Sequence, residues 1–430
     1  MRSRFFASIV LLFVLVWFSA SFSGCARPPH APTAAEPLLS EPLPQSECVP
    51  EFPDQKGWYG ADAAFSVPLP IDEGRVSLWL FGDTFVARPD SSKGRAYPFV
   101  HNSIGISHCL RGGEWKLETY WRRTSSADEL QPRAFFVPPA DATWVREAQQ
   151  ASGASPYYWL FDGFIAHDTL FVGLLRVVES PPRGPFNLPF RLAGMDLARI
   201  ENFRDAPKDW RIKISTLSNN ILAFPGSAFV KSRSHLYAFA FFDRGDGLSP
   251  RMLSRLDLDS LAQWQPDLSG QFETWAKDGR WIEGFAPLDA MIVMDDDTTE
   301  MSVHFDPEKS TWLAVYTDPA RDRTGGGRGY VRLRHSERLT GPWSKAQEVL
   351  SIPETTTNRR DESLFCYAGK SHPQFARSGE LLITYVCNLI APDSTDAVGF
   401  AETIAILERL TVDLEIYRPR AVSVELPDFQ

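Results

Sequence analysis

One strand type occurs five times in series along this chain: Ser77-Leu-Trp-Leu-Phe-Gly82, Leu170-Phe-Val-Gly-Leu-Leu175, Leu236-Tyr-Ala-Phe-Ala-Phe241, Trp312-Leu-Ala-Val-Tyr-Thr317 and Leu381-Leu-Ile-Thr-Tyr-Val386. Each is a short apolar run of β-formers without an interrupting charge, which suits a strand covered on both faces. A turn precedes each copy, at Ile71-Asp-Glu-Gly74, Ala166-His-Asp168, Lys231-Ser-Arg-Ser234, Asp306-Pro-Glu-Lys-Ser310 and Arg377-Ser-Gly379, and another strand candidate lies before each turn. A third strand follows each copy, at Asn102-Ser-Ile-Gly-Ile-Ser107, Phe190-Arg-Leu-Ala-Gly194, Met252-Leu-Ser-Arg-Leu256, Tyr330-Val-Arg-Leu-Arg334 and Thr403-Ile-Ala-Ile-Leu407. A fourth segment often carries a tryptophan, at Trp115, Trp210, Trp264 and Trp343. Four antiparallel strands repeated in five units describe an all-β fold, a five-bladed β-propeller with inserted loops. The copies stand about 65–95 residues apart, longer than a minimal blade, so insertions are expected near residues 125–155 and 200–222. A decorated β-sandwich is the alternative, but it does not call for five similar hairpins in series.

Composition agrees with this reading. Aromatic residues make up 13% of the chain, and 28 Gly and 33 Pro are enough to supply many turns. The formal net charge is −10 and the body holds no Lys/Arg-rich block, which argues against a nucleic-acid partner. Neither a phosphate-binding loop nor a dinucleotide fingerprint occurs, and Gly226-Ser227 is not a nucleophile elbow, so no cofactor is expected and serine-hydrolase chemistry finds no support.

The N-terminus has its own signature. Arg2 and Arg4 precede an almost wholly apolar run over residues 5–22, followed by Ser23-Gly24-Cys25. A basic head, an apolar run and small residues before a cut site form a secretory signal. The Cys after Ser-Gly resembles the lipobox of bacterial lipoproteins, with Phe22 where Leu is usual, and the resemblance implies that Cys25 carries lipid. An uncleaved membrane anchor is the plainer alternative. The expected organisation is a lipoprotein signal peptide at 1–24, a Pro-rich tether at 25–47 and the propeller domain at 48–430. Lipid on Cys25 would make the membrane a partner and place the chain in the cell envelope, outside the cytoplasm. The other cysteines, Cys48, Cys109, Cys366 and Cys387, allow two bridges in three connectivities or free buried thiols. None has metal-ligand spacing, so no metal site is expected.

In a propeller the first strand of each blade lines the central channel, and functional residues tend to fall near the start of those strands. The five positions here read Asp62, Asp162, Gly226-Ser227, Glu300 and His372. In blade one, Asp62 starts the first strand and Asp83 ends the second, equidistant from the centre of the intervening turn. A regular antiparallel hairpin would set them face to face, where like charges destabilise unless something uses or compensates them. Asn102 begins the next strand at the same rim. Trp58, Tyr59 and Trp159 lie close enough in sequence to stack on sugar rings, or to be core. Each acid also has an ordinary reading: Asp83 and Asp162 in turns, Glu300 solvated beside Asp295-Asp-Asp297, His372 packed in a loop. Carboxylates clustered in a channel are what glycoside hydrolysis needs, one protonated to assist the leaving oxygen and one ionised to activate water or attack carbon.

Gly57-Trp-Tyr-Gly-Ala-Asp62, Leu78-Trp-Leu-Phe-Gly-Asp-Thr84 and His101-Asn-Ser-Ile104 resemble a group of exported bacterial propellers catalogued as domains of unknown function, some of whose relatives are endo-D-arabinanases. The wider clan includes five-bladed arabinanases and xylosidases with three carboxylates in a central funnel. Looser matches are Thr299-Glu-Met-Ser-Val303, Gly341-Pro-Trp343 and Lys370-Ser-His-Pro373. The resemblance implies a glycoside hydrolase acting on a polysaccharide, arabinans among them. In it Asp62 and Asp83 form the catalytic pair, Glu300 is a further candidate acid, and Asp162 tunes or positions. Trp58, Tyr59, Asn102, Trp159 and His372 would contact substrate. A non-catalytic carbohydrate-binding or scaffold propeller, and a structural lipoprotein of envelope assembly, are the competing functions.

Overall fold

The second strands of blades one and four alternate their side chains between two different cores. In blade one Leu78 and Leu80 pack with blade two, whereas Trp79 and Phe81 pack with Phe375 and Leu382 of blade five. In blade four Trp312, Ala314 and Tyr316 pack with Ala228, Phe239 and Leu253 of blade three, whereas Leu313 and Val315 pack with Leu381, Ile383 and Tyr385 of blade five. Blades two and three share the core that also holds Leu78 and Leu80. A strand with no polar face is therefore what each sheet needs at its centre, because both faces of the sheet are covered. The shared cores run from one to two, two to three, three to four, four to five and five back to one, which closes the ring.

This arrangement is seen in a computed structural model that describes residues 47–429 apart from 56, 87–98, 124–130, 154, 184–187, 244–248, 297, 319–328, 358–363 and 390–413. The signal, Cys25 and the tether to residue 46 lie outside the described residues. The first strands are Trp58–Leu69, Tyr157–Ala166, Ala223–Lys231, Ser302–Asp306 and Leu364–Ser371. The second strands are Val76–Val86, Thr169–Arg183, His235–Phe242, Thr311–Asp318 and Glu380–Leu389. The third are Ser103–Cys109, Leu188–Ile200, Arg251–Asp257, Tyr330–Ser336 and Arg420–Glu425. The fourth, in blades one to four, are Trp115–Tyr120, Ile212–Ser218, Phe272–Trp275 and Gln347–Ser351. All pairs are antiparallel and sequential, and each blade is one continuous stretch of chain.

Several details differ from the sequence reading. Residues 200–222 are not an insertion, since they contain the fourth strand of blade two, Ile212–Ser218. Trp115 opens a fourth strand, but Trp210, Trp264 and Trp343 stand in the loops before theirs, where Trp210 and Trp343 donate to the carbonyls of Asp205 and Leu339. In blade five Arg420–Glu425 pairs with Glu380–Tyr385, and the expected strand Thr403-Ile-Ala-Ile-Leu407 lies outside the described residues. The insertion between blades one and two carries the helix Thr143–Ser152, and blade three is extended by Trp281–Glu283 and Ile292–Met294.

No strand is exchanged between the first and last blades among the described residues. They are joined by side chains instead. Ser66 Oγ meets His372 Nδ1 at 2.6 Å and accepts from Gln374 Nε2 at 2.7 Å, and Trp79 stacks on Phe375 with ring centroids 5.7 Å apart. Two disulfides are present. Cys366–Cys387 links directly opposed residues of the blade-five hairpin, and Cys48–Cys109 ties the segment before blade one to its third strand.

Candidate active site

The first strands of blades one, two, three and five each break their ladder at the same depth. The register shifts fall at Ala61–Phe65, Leu160–Gly163, Pro225–Ala228 and Tyr367–Lys370. Ala63, Ala64 and Ala368 adopt left-handed backbone there, with φ of 67°, 60° and 60°. Each such residue costs about 1–2 kcal/mol for a side chain with a Cβ. Bulges of this kind re-aim a side chain out of the regular alternation. In blade four the same position is filled from a loop, because Glu300 stands two residues before Ser302–Asp306 and its loop is held where Ser227 Oγ donates to the Thr299 carbonyl at 2.7 Å.

Three acids from three blades, Asp62, Asp162 and Glu300, act on one lysine, Lys370, and Asp83 joins them through Asp62. Asp62 sits in the blade-one bulge, and the pairs Gly60↔Phe85 and Phe65↔Leu80 keep one register on either side of it. The Asp62 side chain lies over Gly82, where an added Cβ would fall 2.3 Å from its Oδ1. Tyr367 donates to Asp62 Oδ2 at 2.7 Å, and Tyr417 adds a second hydroxyl contact. Burial raises the Asp62 carboxyl to about 8, with the negative charges of Asp83 and Glu300 adding to the effect and the two tyrosines opposing it. Asp83 is also raised by burial, but His101 Nδ1 at 3.2 Å and the indole of Trp159 at 2.9 Å both reach its Oδ1 and favour its charged form.

Glu300 Oε2 accepts from Lys370 Nζ at 2.6 Å. Lys370 is almost fully buried, donates also to the Ala368 carbonyl at 2.8 Å, and rests over the Phe65 ring at 4.2 Å. Asp162 is bound by backbone amides, Gly163 N at 2.8 Å and Phe229 N of blade three at 2.7 Å. Burial raises it to about 7, opposed by these amides and by Lys370.

The structure thus gathers Asp62, Asp83, Glu300 and Asp162. Trp159 joins them through Asp83, and Tyr59 is half-buried beside Phe85 and Tyr417 at the same end. The other three expected substrate contacts are elsewhere. Trp58 is fully buried against Phe81. Asn102 is sealed, its amide bound to the carbonyls of Phe136 and Tyr158 and to Phe136 N, where it anchors the insertion. His372 is buried with both nitrogens bonded, to Ser66 and Thr384, and burial lowers it to about 3. The blade-five bulge ends at Lys370, and His372 lies beyond the last residue of that strand, Ser371.

Tyr367, Tyr417, Lys370 and His101 were not singled out by the sequence. His101 stacks on Tyr157 with centroids 3.5 Å apart, beside Asp83. The pairing Thr84↔Val100 sets His101 across from Asp83, a register that strand arithmetic could have reached. Among the described residues the cluster of possible metal ligands is Glu354 with Cys366 and Cys387, and those two cysteines are disulfide-bonded.

Solved structures share the architecture at low identity. A candidate hydrolase from Bacteroides ovatus ATCC 8483 superposes with a TM-score of 0.57 at 20% identity, covering 86% of each chain, and shows the fold alone. An endo-arabinase from Bacteroides thetaiotaomicron VPI-5482 gives 0.41 at 10% identity over 86% of this chain and 95% of its own. Cellvibrio cellulosa α-L-arabinanase, complexed with arabinohexaose, gives 0.38 at 11% identity over 76% and 88%. No curated protein matches the sequence. The bulged first strands, the carboxylates they gather and the blade-one motifs all fall within residues 52–424, which match the family described as Domain of unknown function (DUF5005), and the chain belongs to that family.

Proposed function

We propose that this chain is a lipid-anchored, extracytoplasmic glycoside hydrolase that cleaves a polysaccharide by carboxylate acid/base chemistry. One observation carries the reading: Asp83 and Glu300 both act on Asp62, and the hydrogen-bond partners of the three differ. Burial, with Asp83 and Glu300 adding their negative charge, keeps the proton on Asp62 at neutral pH, so it serves as the acid toward the leaving oxygen. Asp83, bound by His101 and Trp159, is the ionised partner that activates water or attacks the anomeric carbon. The half-buried Tyr157 and Trp159 flank it with ring surface for a sugar. The blade-one motifs make arabinans the first polysaccharides to try.

The test is release of reducing sugar from a panel of polysaccharides. Wild type turns over at least one of them, and Asp62→Asn and Asp83→Asn each lose at least about 100-fold in kcat/KM while keeping native circular dichroism. Full activity in either variant rejects the assigned chemistry. Binding on a glycan array without turnover by wild type favours a carbohydrate-binding propeller instead. Anchoring rests on the apolar run before Cys25 and on two disulfides that suit an oxidising compartment. Metabolic labelling with a radioactive fatty acid, lost in Cys25→Ala, checks it.

A further inference from the structure

We infer that Lys370 is the positioning residue of this site: its ammonium, fixed between Glu300 and the Ala368 carbonyl, is the charge that lets acids from three blades share one channel. The geometry is built for that purpose. The blade-five bulge places Lys370 directly after left-handed Ala368 and after Gly369, whose N–H donates to Thr317 Oγ1 of blade four at 2.7 Å. An added Cβ at Gly369 would lie 2.2 Å from that oxygen, so the strands approach too closely there for any other residue. Phe65 of blade one forms the floor under the ammonium. Three blades therefore fix one nitrogen, and a fourth supplies Asp162 to its field.

The titratable groups facing Lys370 are Glu300 in contact, Asp62 and Asp162 through the field, and His372 two residues on, with His304 next to His372. Tyr367 and Tyr417 lie one layer further, on Asp62. A carboxyl whose folded pKa exceeds its unfolded value lends stability below the unfolded value and loses it as the pH rises through the folded one. For Asp162 and Asp62 that loss runs from the ordinary 3.8 up to about 7 and about 8. Burial lowers the Lys370 ammonium, and Glu300, Asp62 and Asp162 oppose that; while positive, it limits the loss. Without it Asp62 and Asp162 are destabilised more at high pH than at low pH, where these two hold protons.

This inference shares its site with the proposed hydrolase, but its first readout needs no activity. Thermal unfolding of the full chain is followed at pH about 5 and about 8, in wild type, Lys370→Met and Lys370→Arg. The Lys370→Met loss in Tm at the higher pH is expected to be at least about twice that at the lower, and Lys370→Arg is expected to stay near wild type at both. The double variant Lys370→Met/Glu300→Gln, which removes one negative charge with the positive one, regains part of the high-pH loss. If Lys370→Met does not fold, folding of the double variant at the higher pH supports the inference. Equal losses at both pH values, or a double variant no better than Lys370→Met, make Lys370 a packing residue and overturn it. On an active substrate both limbs of the pH–rate profile of Lys370→Met move to higher pH. A wild type without turnover on any glycan sinks the hydrolase proposal and leaves the unfolding comparison to judge Lys370.

Discussion

Gly82 shows how closely the site is fitted at the level of single atoms. It is the residue beneath Asp62, and any side chain there takes the space of the carboxylate oxygen. Gly82→Ala is expected to leave the blade-one sheet intact while turning Asp62 away from Tyr367. Displacements of about 1 Å cost about 100-fold in rate, so kcat should fall by about that factor with native circular dichroism retained. Single-turnover assays with near-ultraviolet circular dichroism check both halves. Part of this site was legible in the sequence. Asp62 and Asp83 follow from hairpin arithmetic, because the register on both sides of the bulge is the regular one. Tyr367 and Tyr417 were not legible. Tyr367 reaches Asp62 from the first strand of blade five and Tyr417 from the turn before its third strand, and no spacing rule along one chain relates residues 305 or more positions apart. Trp58 and Asn102 were misjudged because a motif residue beside a functional one alternates to the other face, into core or into an insertion anchor.

The element that organises the site is the bulged first strand. Five regular strands would point alternate side chains along the channel and bury the rest between blades. The left-handed alanines and Gly226 interrupt that alternation at one depth, and each interruption is locked by a neighbour: Asp162 by Phe229 N, Gly369 by Thr317, the Glu300 loop by Ser227. Asp162 consequently serves the frame as well as the field. Asp162→Ala strips the acceptor from two backbone amides, and a donor left unmade costs about 1–3 kcal/mol. A loss of about 2–4 kcal/mol in urea denaturation is expected, and Asp162→Asn, which keeps one acceptor oxygen, should lose less. The hairpins themselves were visible as apolar runs with turns. The bulges were not, because Ala63, Ala64 and Ala368 are unremarkable residues in that role and only the tertiary contacts hold them there. Without that shift the sequence offered His372, which falls just past the end of Leu364–Ser371, and passed over Lys370.

At the scale of the whole ring, repetition made the architecture readable, since five copies of one apolar strand leave few alternatives. How the ring closes was not readable, because closure depends on single polar and aromatic side chains without a pattern of their own: Ser66, His372, Gln374, Trp79 and Phe375. Among the described residues no ladder crosses from one blade to the next, and the joint between the last and the first is the one that consecutive chain does not span. Across that same joint run the Tyr367–Asp62 hydrogen bond and the Lys370–Phe65 contact. Mild denaturant should therefore silence the protein while its sheets are still formed: turnover is expected to vanish at a lower urea concentration than the far-ultraviolet signal, and coincident midpoints would show that the ring yields everywhere at once. A site assembled across the seam where the ring meets itself would exist only in an unbroken circle.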